Sequence, residues 1–169
     1  MTNEVNAAEQ SKAAGTQLQR LMRMAEAQPP LRTAVVHPVD ALSLTGAVEA
    51  ARRGLIEPIL IGPLTRVQSA AQAAGLDLRG LQLIDVEHSH QAAARACELA
   101  AKGEVAAIMK GALHTDELLE AVVASHSGLR TDRRMSHVFV LDVPSYPRPL
   151  LVSDAALNVA PDLATKRDI

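Results

Sequence analysis

Aromatic residues are almost missing from this 169-residue sequence, which has one Tyr, one Phe and no Trp. That counts against nucleic-acid modules that stack bases on aromatic side chains. The single cysteine, Cys97, excludes an internal disulfide framework and a zinc ribbon. It lies in an alanine-rich helical pattern and reads as a small packing residue. An excess of one charge is also lacking. The formal net charge is −2, so no broad field would draw a polyanion. No apolar run approaches the length that spans a bilayer. The opening MTNEVNAAEQ is polar and lacks the apolar run of a signal peptide. There is no Walker loop, GxGxxG or GxSxG motif. The expectation is a soluble, cytoplasmic protein with no nucleic-acid or membrane partner.

Hydrophobic residues make up 48% of the chain, much of it alanine, enough for a globular core. Residues 1–30 form a first segment, an amphipathic helix from about Val5 to Ala27 that Pro29–Pro30 stops. Residues 31–125 then alternate strand and helix. Strands are expected at Thr33–Val36, Pro58–Ile61, Leu81–Val86 and Val105–Met109. Helices are expected from Asp40, as N-cap, to Arg53; over Leu64–Ala74; from Ser89, as cap, to Lys102; and over Asp116–Ser125. Gly54, Gly75 and Gly103 follow as stops. This alternation predicts an α/β fold: a Rossmann-like, mostly parallel sheet with helices on both faces. Residues 126–169 break the rhythm. A basic loop, HSGLRTDRR, leads into strands Met135–Asp142 and Leu150–Val152, expected to pair antiparallel. A helix then begins at Pro161-Asp162. The chain ends inside that element, which reads as an incomplete domain.

The stretch VAAIMKGALHT, Val105 to Thr115, is the candidate centre. A buried strand ends in a tight turn carrying Lys110 and Gly111, and a helix starts beyond it. A helix N-terminus offers unpaired N–H groups and a positive dipole end, so anions favour it. In a parallel sheet ligands bind beyond the carboxyl ends of the strands, which places His37, Gly62, Glu87-His88 and Lys110-Gly111 on one edge. The hairpin is expected to bring Arg130, Thr131, Arg134 and Ser136 near Ser153, Asp154 and Asn158, and the economical arrangement makes both clusters one cleft. Each residue also has a plainer reading. Lys110 can be an exposed turn lysine, Thr115 a helix cap, and Arg130 and Arg134 solvated loop charges. Ser136 and Ser153 can be structural, and Asp154 a carboxylate bonded to loop N–H groups. His88-Ser89-His90 is a weak metal pattern, and a metal-dependent hydrolase is the least favoured reading.

The runs MKGALHTDELLEAVV and GLRTDRRMSHVFVLDVPSYPRPLLVSDAALNVAPDLATKRDI resemble the phosphate acetyl/butyryltransferase family, nearest its phosphate butyryltransferase-like branch. PILIGP and HPVDALSLTGAVEAARRG fit the same pattern, so the resemblance runs from about Leu31 to Ile169. It implies transfer of an acyl group between coenzyme A and inorganic phosphate, with no metal and no cofactor, coenzyme A being substrate and product. It implies a fold similar to the isocitrate/isopropylmalate dehydrogenases, incomplete here, and a homodimer. It also implies that Lys110, Gly111, Thr115, Arg130, Thr131, Arg134 and Ser136 contact phosphate or acyl phosphate, with His114, Ser153, Asp154 and Asn158 supporting the cleft. The family's catalytic serine, arginine and aspartate belong to a second half beyond this sequence. A truncated chain is therefore expected to be inactive alone, or to be a non-catalytic remnant that binds coenzyme A or phosphate or dimerises. Acyl-chain preference is not legible.

Overall fold

The structure, a computed structural model, describes residues 16–154 and 156–169. The part of the expected first helix that precedes Thr16 lies outside them. The chain forms two compact units. One holds residues 28–130; the other holds the N-terminal segment and residues 131–169.

The larger unit is the parallel α/β layer. In chain order it runs β1 (Leu31–Val36), α2 (Ala41–Arg52), β2 (Ile56–Gly62), α3 (Leu64–Ala73), β3 (Gln82–Asp85), α4 (Ser89–Ala101), β4 (Ala107–Lys110) and α5 (Thr115–Val123); α1 (Thr16–Glu26) belongs to the other unit. All strand pairs are parallel and the order is β3-β2-β1-β4. From β1 the chain winds outward to β2 and β3, then returns to place β4 on the far side of β1.

The pleat of the central strands divides the core. Ala34, Val36, Ile59 and Ile61 face α4 and α5, meeting Ala92, Ala93, Ala96, Leu99 and Leu118. Val35 and Leu60 face α2 and α3, meeting Leu44, Ala47, Val67, Ala70 and Ala71. The alanines let the helices lie close to the sheet. Each fully buried Leu, Ile or Val contributes roughly 1.5–3 kcal/mol of transfer free energy.

Several boundaries differ from the sequence reading. Asp40 is the N-cap of α2 as expected, its carboxylate accepting from Ser43 N at 2.7 Å. The N-cap of α4, however, is His88, with Ser89 the first helical residue. Gln91 reaches back instead, its Oε1 accepting from His88 N at 3.2 Å and Glu87 N at 3.0 Å. Likewise α5 begins one residue early, at Thr115, with His114 at the N-cap and no side-chain cap bond. A local glutamine bond in one case and the geometry of the β4–α5 turn in the other displace the Ser and Thr from the cap. Gly54 closes α2 at φ 69°, in the left-handed region that glycine enters without Cβ strain.

The second unit contains α1, β5 (Val138–Leu141), β6 (Leu150–Ser153) and α6 (Leu163–Asp168). β5 and β6 pair antiparallel, with Val138 opposite Ser153 and Leu141 opposite Leu150. Both ends of the expected strand over 135–142 are trimmed, and the residues there bond outside the hairpin. Asn158 Nδ2 donates to Met135 O at 3.2 Å, and Leu18 N of α1 donates to Asp142 Oδ2 at 2.8 Å.

Candidate functional site

The order β3-β2-β1-β4 makes a switch point between β1 and β4, where successive connections leave the sheet in opposite directions. Such a split opens a crevice at the carboxyl ends of the strands. A cleft of about 810 Å³ lies there, in the range of small-molecule sites. The β1–α2 loop supplies His37 and Asp40 to its wall, and the β4–α5 turn supplies Lys110, Gly111 and His114. Arg66, Ser89 and Glu117 come from the first turns of α3, α4 and α5.

Gly111 allows the two loops to meet. Its N–H donates to Val36 O at 2.8 Å, and Ala112 N donates to His37 O at 2.9 Å. A Cβ on Gly111 would strike Val36 O and would lie 2.8 Å from His37 O. Only a residue without a side chain permits this crossing of two backbones.

Lys110 ends β4 opposite Val36. Its ammonium donates to Leu113 O at 2.8 Å and to Gly111 O at 3.3 Å, so it braces the turn from within. Thr115 and His114 are exposed at the start of α5. Asp116 and Glu117 fill that helix's first turn and already complement its positive end.

His37 has the least ordinary surroundings in the cleft. It is 5% exposed and adopts φ 54° without being glycine. Its Nδ1 is buried with no hydrogen-bond partner. Burial lowers its pKa below the ordinary histidine value, the nearby Arg66 guanidinium lowers it further, and Glu117 opposes both. The ring is therefore held toward its neutral form.

The remaining candidates fall as follows. Arg130 is the last residue of the parallel unit; Thr131, Arg134 and Ser136 belong to the other. Within that second unit Thr131 Oγ1 accepts from Arg133 N at 3.1 Å, and Arg134 N donates to Asp168 Oδ2 at 3.2 Å. The guanidinium of Arg133 pairs with Asp168 at 3.1 Å, and that of Arg134 lies 4.0 Å from it. The hairpin brings residues 135–138 alongside Ser153, Asp154 and Asn158. The Asp154 carboxylate accepts from Leu157 N and Asn158 N, each at 2.9 Å, and from the Asn158 amide. Desolvation raises its pKa, but these hydrogen bonds outweigh it and hold the carboxyl below the usual range. Ser136 is half-buried and Ser153 exposed. The His88 and His90 rings stack at 5.3 Å, and no group of three or more His, Cys, Asp or Glu side chains gathers among the described residues.

Sequence reasoning placed His37 on the right edge but did not select it, read Asp40 only as a cap, and passed over Arg66 and Glu117. The rule that chose Thr115, a polar residue in the first turn of a helix following a parallel strand, would also have found Arg66 and Glu117. Nothing in the sequence marks His37 as left-handed and buried.

No protein-family profile matches the chain. The phosphate acetyltransferase of Rickettsia prowazekii is 52% identical over 166 residues, covering 98% of this chain and 47% of that protein. That of Rhizobium meliloti is 51% identical over 150 residues, covering 89% and 48%. The phosphate butyryltransferase of Clostridium acetobutylicum is 32% identical over 138 residues, covering 82% and 46%. Among solved structures, a branched-chain phosphotransacylase from Enterococcus faecalis matches with a TM-score of 0.59 at 17% identity, over 80% of this chain and 46% of that one. The chain thus spans about half the length of the relatives it matches. Through these sequences, and with a fold shared with the phosphotransacylase, the chain belongs to the phosphate acetyl/butyryltransferase family and corresponds to its N-terminal part.

Proposed function

We propose that this chain supplies the phosphate-gripping α/β part of a phosphate acyltransferase. In the proposed reaction an oxygen of inorganic phosphate attacks the thioester carbonyl of an acyl-CoA. The C–O bond forms, the C–S bond breaks, and free coenzyme A leaves as the thiol once its sulfur is protonated. An anion cradle is what this chemistry asks of the protein first. The observation that carries the reading is the switch-point cleft between β1 and β4, walled by the Lys110–His114 turn and by Glu117 from the first turn of α5.

In this proposal Lys110, Gly111 and Thr115 shape the anion site, with His114 at its rim. Arg130, and separately Thr131, Arg134 and Ser136, are proposed as further phosphate contacts, with Ser153, Asp154 and Asn158 supporting the latter group. The catalytic serine, arginine and aspartate come from the part of the family's sequence beyond this chain. No metal or cofactor is invoked. A homodimer working in the cytoplasm completes the proposal. Among the described residues no helix is long and apolar enough to cross a membrane.

Inorganic phosphate titrated into the chain, with backbone amide spectra followed, tests this. Saturable shifts centred on residues 110–115 are expected; their absence defeats the reading. Half-length coverage favours a second reading, a binding module without turnover. Thiol release from acetyl-CoA and butyryl-CoA in the presence of phosphate separates the two. Release by this chain supports the acyltransferase, and phosphate binding without release supports the module.

A further inference from the structure

The charges in the cleft are distributed differently from what the motif alone suggests. Lys110 spends its ammonium on the carbonyls of Leu113 and Gly111. The Asp40 carboxylate is occupied by Ser43, whose Oγ donates to Oδ1 at 2.6 Å. Several donors on the wall are unspent, Arg66 and His37 among them. Arg66 is exposed and makes no hydrogen bond or ion pair among the described residues. It sits in the first turn of α3, where Pro63 offers no side-chain cap and Asp85 Oδ1 accepts from Leu64 N at 2.9 Å. The second of these is His37, whose Nδ1 is closed off without a partner. An enclosed N–H lacking an acceptor is the rarer and costlier orphan, so the proton belongs on Nε2, the nitrogen that keeps solvent access. A carboxylate stands in the same cleft at Glu117, half-buried and close enough to oppose the effect of Arg66 on the ring.

A carboxylate is an obstacle to a fully deprotonated anion and an asset for one that keeps a proton. Inorganic phosphate near neutral pH carries at least one P–OH, whereas sulfate of the same shape carries none. We propose that this cleft selects hydrogen phosphate. Arg66 and the Nε2–H of His37 donate to its bare oxygens, Glu117 accepts from its P–OH, and Lys110 holds the loop rather than the ligand. The inference rests on the phosphate reading above and names the discriminating groups within it. The planar fork of arginine suits two phosphoryl oxygens at once. The same chemistry fits a phosphate monoester, and about 810 Å³ leaves room for one.

The test is titration calorimetry with phosphate, sulfate and the monoester AMP on the full chain and its variants. Phosphate is expected to bind at least about tenfold more tightly than sulfate, the worth of one hydrogen bond to a charged group. Glu117→Gln should close that gap by improving sulfate. Arg66→Gln, an exposed change, should weaken phosphate about tenfold. His37→Asn keeps a residue that tolerates the left-handed backbone and should also weaken phosphate. Nitrogen-15 spectra of the imidazole should show the Nε2–H tautomer, with its proton shifting as phosphate binds. AMP binding more tightly than phosphate assigns the cleft to an ester group, and the reverse order assigns it to the free ion; either order supports the selection. Equal affinity for phosphate and sulfate, or full affinity in Arg66→Gln, overturns the inference while leaving phosphate binding intact. If the unmodified chain binds neither anion, the underlying phosphate reading falls as well.

Discussion

Two strands of similar composition have opposite fates in this chain. In β1, Ala34, Val35 and Val36 are each 0% exposed. In β5, Val138, Phe139, Val140 and Leu141 are 54, 48, 47 and 41% exposed. The apolar content is comparable, but the neighbours differ. β1 has a strand on each side and helices on both faces. β5 has β6 alone. Every buried hydrophobic side chain among the described residues falls between Ala34 and Leu118, inside the parallel unit. A two-stranded ribbon is marginal in water until another strand or a helix covers it. Long apolar edges of that kind also invite pairing with other chains. The difference teaches that an apolar strand reports a demand for cover, and only topology says whether the demand is met.

The sharpest way to break this comparison is to shorten one side chain in each unit. Ile61→Ala, in the closed core, should cost about 3–4 kcal/mol, within the range for large-to-small core changes. Val140→Ala, in the ribbon, should cost less than about 1 kcal/mol, because little apolar area returns to water. Urea unfolding followed by circular dichroism reads both. Similar losses would show that the ribbon is covered in solution.

Gly111→Ala should come next. Its Cβ meets two carbonyl oxygens of the β1 end, and the backbones must separate. A loss of about 1–3 kcal/mol is expected, together with faster amide exchange at Ala112, whose N–H bonds to His37 O. Helix caps give a finer contrast. Asp40 caps the twelve-residue α2 and Asp162 the six-residue α6. Replacing Asp40 with Ala should cost about 1 kcal/mol. The same change at Asp162 should cost less, since α6 buries no side chain.

Acid separates the units with the smallest effects. The His37 pKa is lowered from 6.5 by burial first and Arg66 second. The unfolded chain then takes up a proton that the native ring refuses, so stability falls as pH drops below 6.5 and levels off once the native ring also protonates. Asp154 acts in the same direction in a more acidic window. Its carboxyl is held below 3.8, so its contribution is present above that pH and lost as pH falls through the native value. His37→Asn should flatten the upper part of a stability–pH curve. Asp154→Asn should flatten only the acid part.

Periodicity made the parallel unit legible before any coordinates. Alternating apolar strands, alanine-rich helices and glycine stops each report a local preference, and local preferences dominate where every strand finds neighbours. The turn at Gly111 was legible in the abrupt end of the VAAIM run, but the close approach of its backbone to β1 was not. The identities of the caps at His88 and His114 were not, because a glutamine bond and a turn outcompeted the hydroxyl side chains. The cleft was half legible. Lys110 and the α5 start came from the sequence pattern, but the sequence does not state that the ammonium of Lys110 is turned onto its own loop, because that depends on which carbonyls the turn presents.

The chain's pattern of residues thus determined by itself that strands and helices alternate, that a cation and a glycine close the fourth strand, and that the motifs resemble those of the phosphate acetyl/butyryltransferase family. Tertiary structure alone decided the strand order, with β1 between β2 and β4. β2 beside β1 brings Arg66 near His37, β4 beside β1 brings Glu117 there and makes the Gly111 crossing, and the buried His37 keeps one ring nitrogen sealed. Strand order is a property of how separate segments bury one another, and no short stretch of sequence carries it.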